Sequence, residues 1–227
     1  MTEYENLVEI LKANSDKKYD DFNKKIINSG VTTIGCKTPF VRKLAKNYSV
    51  EQVMRFPLHE YYEADLLQGM VIANCKLPYE QKKELLDRFA AGIENWAVCD
   101  CNCIKIPPKE KEAYFQYFCN LLTDERPFVC RYGIVNLLSS YLDEEHIYAV
   151  FGALRNIRAW GEYYVDVAAA WLLATALAKC RTATKLYMEN EGREVLNVFA
   201  YNRALQKMRE SFRVSDEDKA WTRSLKK

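Results

Sequence analysis

The sequence has 227 residues, of which 49% are hydrophobic and 13% aromatic, with a formal net charge of +2. This composition supports one domain or one elongated repeat array, excludes a disordered or collagen-like chain, and neither requires nor excludes nucleic acid. The first residues lack the basic and apolar segments of a signal peptide, and the longest apolar run, near residues 167–173, is too short to span a bilayer. We therefore expect a soluble cytoplasmic protein of the bacterial-type cytosol or nucleoid.

Helical spacing of apolar residues recurs along the chain, whereas period-two alternation and hairpin turns are scarce. One such stripe consists of Tyr114, Phe115, Phe118, Leu121 and Leu122. The pattern predicts helices over residues 2–14, 19–29, 38–47, 50–56, 60–75, 78–92, 95–105, 109–122, 126–142, 144–156, 161–178, 192–205 and 215–224.

Capping signals mark the starts of three of these helices. Thr38 is the predicted N-cap of a helix with Pro39 at its first position. Asn95 is the predicted cap of the helix over 95–105, and Asp124 that of the helix carrying Pro127.

The helix over residues 161–178 differs from the others because it is apolar on all sides, with Asp166 and Thr175 as its clear polar exceptions. Such a helix is expected to be covered on most sides. Connections are short and helix pairs recur every ~35–40 residues, which is typical of helical-repeat proteins. The sequence thus predicts an all-α solenoid, a curved stack of antiparallel helix pairs forming one domain over residues 1–227.

Eight cysteines are scattered along the chain: Cys36, Cys75, Cys99, Cys101, Cys103, Cys119, Cys130 and Cys180. Without an export signal, reduced thiols are expected. The alternating Cys99, Cys101 and Cys103 do not match zinc-ligand spacing, and no second cysteine pair accompanies them. We expect neither metal nor cofactor, and a thiol- or metal-dependent activity through these three cysteines is kept as a third hypothesis.

Candidate chemistry lies in a tryptophan–carboxylate pair, since phosphate-binding glycine loops and metalloprotease or serine-hydrolase motifs are missing. Trp96 and Asp100 share one face of a helix at i and i+4. In a curved stack, Arg131 and Trp171 from later helices can reach the same concave surface. Indole faces attract cations and a carboxylate stabilises a sugar cation, so this set suits a cationic alkylated purine. The alternative is a core tryptophan and an aspartate that serves the helix dipole.

Six segments resemble, in order, the DNA alkylation repair (AlkD-type) family. They are TIGCKTPFVRKLAK (33–46), HEYYEADLLQGMVIA (59–73), NWAVCD (95–100), FVCRYGIV (128–135), YYVDVAAAWLL (163–173) and NRALQKM (202–208). The resemblance implies a HEAT-like repeat fold and a monofunctional glycosylase that releases N3- and N7-alkylated purines from duplex DNA. It implies that Asp100 stabilises the oxocarbenium-like sugar or orients water, that Trp96 and Trp171 pack against the lesion's deoxyribose and backbone, and that Arg131 contacts a phosphate.

The sequence departs from the family where further basic residues often follow the arginine helix and the second tryptophan. Ser139, Ser140 and Thr175 occupy these stretches. Each lost phosphate contact is expected to weaken DNA binding and to flatten its salt dependence. Two roles are open for the other basic residues, which either compensate for this loss or form solvated surface: Lys105, Lys109, Arg203, Lys207 and Arg209.

Two hypotheses follow for the function of the chain. The first is a monomeric alkylpurine-DNA glycosylase acting on duplex DNA, with Asp100, Trp96 and Trp171 as catalytic residues and Arg131, Arg42, Lys105 and Arg203 binding DNA. The alternative is a non-enzymatic helical-repeat scaffold that binds DNA or protein.

Overall fold

The computed structural model describes residues 1–27 and 29–225. These residues form fifteen α-helices, and they contain no extended strand, only an isolated bridge between Thr32 and Tyr61. The all-α class is therefore confirmed. Residue 28 of the predicted helix 19–29, and residues 226 and 227 of the predicted domain, lie outside the described residues.

The chain divides into two compact units, an N-terminal unit of Met1–Lys105 and a C-terminal unit that begins at Ile106. The single domain over residues 1–227 and the stacking of its helix pairs into a HEAT-like solenoid stay predictions. Within the described part of both units, no helix combines the length and apolarity needed to cross a membrane.

The N-terminal unit is built around one buried helix. Its helices are α1 Glu3–Ala13, α2 Lys17–Ile27, α3 Thr38–Leu44, α4 Val50–Val53, α5 Tyr62–Asn74, α6 Tyr79–Ala91 and α7 Trp96–Cys101. Every residue of α5 except Asn74 is buried, and α1, α3, α4, α6 and α7 pack around it. The sequence did not single out α5, because Glu63, Asp65 and Gln68 look like a solvated face.

Glu63 explains both the burial of this polar face and the glycine of the first family-like segment. Its carboxylate accepts hydrogen bonds from the backbone N–H groups of Ile34 (2.9 Å), Gly35 (2.7 Å) and Cys36 (3.0 Å). Burial raises the pKa of Glu63, and the three backbone donors oppose that rise. Gly35 has a φ of +94°, and a Cβ there would lie 2.7 Å from the Asp16 carbonyl oxygen. The segment before α3 is therefore a backbone cradle for the Glu63 carboxylate.

The C-terminal unit is centred on α11. Its helices are α8 Lys111–Leu121, α9 Pro127–Ser140, α10 Ile147–Leu154, α11 Tyr163–Lys179, α12 Arg181–Glu189, α13 Gly192–Val195, α14 Val198–Glu210 and α15 Asp216–Arg223. Helix α11 packs against α9, α12 and α14, which confirms the prediction that it is covered on most sides. The large exposed side chains of α11 are Tyr163 at its first position, with 56% of its surface exposed, and Trp171 in its middle, with 38% exposed.

A buried carboxylate joins the start of α11 to the start of α14. Asp166 is buried and accepts hydrogen bonds from the Gly161 N–H (3.1 Å) and from Asn197 Nδ2 (2.9 and 3.0 Å). The Asn197 side chain also caps α14, because its oxygen accepts from the Ala200 N–H at 2.8 Å. The predicted helix over 192–205 is wrong at this point, since Asn197 interrupts it and α14 continues to Glu210.

Other helix ends also differ from the predictions. Helix α12 was missed because Thr184 lies on its buried face, where its hydroxyl donates to the Cys180 carbonyl (2.9 Å). The N-cap of α3 is Lys37, so Thr38 is already helical and Pro39 occupies the second position. The helix predicted over 95–105 ends at Cys101.

The N-cap predicted for the helix carrying Pro127 is also wrong. Helix α9 begins at Pro127 and its N-cap is Arg126, which is extended because a residue before proline avoids the helical region. Asp124 instead accepts hydrogen bonds from the backbone N–H of Arg126 (2.8 Å) and from its Nε (2.9 Å).

Candidate active site

Helix α7 carries Trp96 and Asp100 one turn apart, and both are half-buried. Asn95 caps the helix as predicted, accepting from the Val98 N–H at 2.9 Å. The Trp96 indole Nε1 donates to the Ile26 carbonyl oxygen at the end of α2 (3.0 Å), which fixes the plane of the ring. Three residues between the pair, 97–99, are buried, so α7 turns its middle to the core and presents its first and last turns.

The position of Asp100 excludes the alternative that it stabilises the helix dipole. Helix α7 begins at Trp96, and Asp100 is the last residue but one. A carboxylate is favoured near the N-terminus of a helix and disfavoured in its last turn. Asp100 therefore stands where helix stability argues against a negative charge.

Close packing between α5 and α7 determines how near the helix that carries Trp96 and Asp100 lies to α5. A Cβ on Gly69 of α5 would lie 2.2 Å from Asn102 Nδ2 and 2.5 Å from Phe89 Cζ. Asn102 is fully buried at the end of α7, where its Nδ2 donates to the Val98 carbonyl (2.8 Å). The hydrogen at Gly69 thus lets α7 approach α5 closely enough for Asn102 to tie its last turn.

A basic cleft of about 580 Å³ opens in the same unit. Arg42, Lys46 and Lys105 line it, and all three are exposed. Arg42 is near enough to α7 for its charge to act on the Cys101 thiol. The structure thus places Arg42 and Lys105, two predicted DNA-binding residues, on one cleft.

All eight cysteines are free in the structure, including the two thiols that flank Asp100 in sequence. Cys99 is buried, whereas Cys101 and Cys103 are half-buried. Burial raises the pKa of the Cys101 thiol, Arg42 opposes the rise, and the charge of Asp100 adds to it. A thiol held protonated is a poor nucleophile and a poor metal ligand, which argues against the third hypothesis for Cys101.

In the C-terminal unit, the exposed face of Trp171 borders a cleft of about 460 Å³. Thr175, one turn later on α11, lines the same cleft and donates its hydroxyl to the Trp171 carbonyl at 2.9 Å. The opposite wall includes Lys207, Phe212 and Arg213. Phe212 and Arg213 were not among the predicted site residues, because a single aromatic and a single arginine in a helix connection have no periodicity.

Arg131 and Arg203 lie in this unit as well, and neither is a freely exposed cation. Arg131 is only 4% exposed and donates from Nη1 to the Tyr164 carbonyl at 2.6 Å, tying α9 to the first turn of α11. Arg203 is half-buried and donates from Nη1 to Gln206 Oε1 at 2.7 Å. The phosphate contacts of both arginines stay predictions.

The predicted residues thus form two groups, each within its own unit. Trp96, Asp100, Arg42 and Lys105 belong to the N-terminal unit, and Arg131, Trp171 and Arg203 belong to the C-terminal unit. Their convergence on one concave face stays a prediction.

Comparison with known proteins gives one positive finding. The family model described as DNA alkylation repair enzyme matches residues 7–208. No curated protein matches the chain. The matched region contains both tryptophans, the aspartate between them in sequence and the arginine of α9, and it ends before Phe212.

Proposed function

The chain belongs to the DNA alkylation repair enzyme family and has a role in DNA alkylation repair; within that role, we propose that it is a monofunctional glycosylase that removes N3- and N7-alkylated purines from duplex DNA. One observation carries the proposal. The Asp100 carboxylate is half-exposed one turn after the half-exposed Trp96, at a helix position where the dipole disfavours a negative charge. A charge kept at an unfavourable position is typical of a functional site.

The chemistry needs little from the protein, because an N3- or N7-alkylated purine already carries a positive charge. Its glycosidic C1′–N bond breaks heterolytically, and the electron pair leaves with the purine, which becomes neutral. The sugar becomes an oxocarbenium-like cation that the Asp100 carboxylate stabilises. Water adds to C1′ and loses a proton to Asp100 or to solvent. The products are the free alkylpurine and an abasic site.

The tryptophans and the basic residues supply binding. The Trp96 ring, held by the Ile26 carbonyl, offers an indole face to the cationic lesion or its deoxyribose. In the C-terminal unit, the exposed Trp171 offers an indole face to the DNA strand. Arg42 and Lys105 bind phosphates along the basic cleft of the N-terminal unit. No metal or cofactor enters the proposed reaction.

The test is release of 7-methylguanine from a duplex that contains one such lesion, read out as strand cleavage at the resulting abasic site. We expect wild type to release the base and Asp100→Asn to be slower by about 100-fold, since removal of one electrostatic stabiliser costs about that much. Affinity for the duplex should not fall, because the substitution removes a negative charge that repels the DNA phosphates.

Asp87→Asn is the matched control, since Asp87 is an exposed aspartate on α6 of the same unit. It should release the base at the wild-type rate. If folded wild-type protein binds the duplex and releases no base, the glycosylase proposal fails and the non-enzymatic scaffold replaces it. Equal rates for wild type and Asp100→Asn would leave a glycosylase whose carboxylate lies elsewhere.

A further inference from the structure

The cleft beside Trp171 is walled on its far side by the segment that follows α14. Phe212 lies in this segment with its whole side chain in solvent, at 103% relative exposure. Burying an aromatic ring is strongly favourable, so a fully exposed phenylalanine at the mouth of a cleft is unusual for a residue without a partner. Ala174 and Thr175 also line the cleft, and their small side chains leave its volume of about 460 Å³ open.

The same cleft has a cationic wall. Lys207 and Arg213 line it, and Glu210 is the acidic residue among its lining. Burial lowers the pKa of Lys207, and the positive charge of Arg203 lowers it further, as does that of Arg131, with Glu210 opposing. Lys207 and Arg213 both line the cleft, and an anion held between them would offset the repulsion that Lys207 feels from the other positive charges, so the wall is suited to a phosphate.

We propose that this cleft is a nucleotide subsite in which Phe212 stacks on a base or deoxyribose of the DNA strand while Lys207 and Arg213 hold the adjacent phosphate. The proposal deepens the proposed function and rests on it, because DNA is the ligand. Two aromatic faces and two cations around a space within the usual range for small-ligand sites match one nucleotide, which is a flat ring joined to an anion.

The test is fluorescence anisotropy of a labelled duplex that carries a tetrahydrofuran abasic-site analogue, titrated with the full chain. Phe212→Ala should bind about tenfold more weakly, since stacking of one base contributes that order of affinity. Phe212→Tyr should restore binding, because it keeps the ring. Lys207→Gln and Arg213→Gln should each reduce the slope of log affinity against log salt by about one.

Two control variants lie in the same unit, outside the cleft. Tyr148→Ala removes a ring that is 63% exposed on α10, and Arg158→Gln removes an exposed cation. Both should bind as wild type does. If Phe212→Ala binds as tightly as wild type, or if Tyr148→Ala weakens binding equally, the subsite is overturned.

Base release from the 7-methylguanine duplex, measured on the same samples, separates this proposal from the previous one. If wild type binds the abasic duplex through Phe212 and releases no base, the subsite is supported and the glycosylase proposal fails. If wild type releases the base and its affinity does not depend on Phe212, the glycosylase is supported and the subsite fails. If wild type binds no duplex but retains polyglutamate, the subsite is overturned in favour of an acidic protein partner.

Discussion

Replacing Gly69 by alanine should destabilise the N-terminal unit and disturb α7. The new Cβ would lie 2.2 Å from Asn102 Nδ2 and 2.5 Å from Phe89 Cζ, so a buried side chain must move. Overpacking of this kind costs about 1–3 kcal/mol, and loss of the Asn102–Val98 hydrogen bond costs about 1 kcal/mol more. The higher helix propensity of alanine offsets about 1 kcal/mol of this loss. We therefore expect the free energy of unfolding to fall by about 2 kcal/mol.

Urea unfolding followed by far-ultraviolet circular dichroism measures this change, and Gly152→Ala is its matched control. Gly152 lies inside α10, and a Cβ added there would have nothing within 4 Å, so the same substitution should raise stability by about 0.5–1 kcal/mol. Opposite signs for the two variants would support the argument. A Gly69→Ala protein as stable as wild type would refute it, because α7 would then not depend on close approach to α5.

Two further predictions concern buried carboxylates of α5. Burial raises the pKa of Asp65 to about 6, the charge of Glu94 adds to the rise, and the His59 N–H opposes it. The folded state therefore holds this proton more tightly than the unfolded state, so stability falls as pH rises from about 4 to about 6 and stays low above that. Asp65→Asn should remove this pH-dependent loss, so its free energy of unfolding should exceed that of wild type by up to about 3 kcal/mol as pH rises from 4 to 7. Urea titrations at a series of pH values measure this difference, and equal pH profiles for the two proteins would contradict the assignment. Glu63→Gln should cost about 2 kcal/mol at neutral pH in the same titration, since its amide N–H₂ must face a backbone donor. The control Glu9→Gln changes an exposed glutamate on α1 and should alter stability little, so equal losses for the two variants would count against the cradle.

Much of the fold follows from local pattern, because apolar spacing determines where helices bury a stripe. The all-α class, the Asn95 cap and the covered α11 were predictable in this way. Burial of α5 was not, since its polar residues are satisfied by partners distant in sequence, as Glu63 is by Ile34 and Gly35. A solvated carboxylate and a buried one with backbone donors have the same sequence pattern.

The candidate site was likewise predictable where it depends on local spacing, and unpredictable where it depends on partners distant in sequence. The i and i+4 spacing of Trp96 and Asp100 predicted a shared helix, and the structure places them at the two ends of α7. Burial of Arg131 was not predictable, because its partner is the Tyr164 carbonyl on another helix. Phe212 was missed because a single aromatic in a connection has no periodicity.

The bond from Trp96 to the Ile26 carbonyl ties the indole to the least buried long helix of its unit. Of eleven residues in α2, only Asn23 and Ile27 are buried, so this helix has little apolar packing to resist local unfolding. Amide hydrogen exchange should therefore be faster in α2 than in α5. Each opening of its last turn releases the Trp96 ring, so the free energy of opening that exchange reports for α2 also sets how often this aromatic face gains the freedom to reorient toward a ligand.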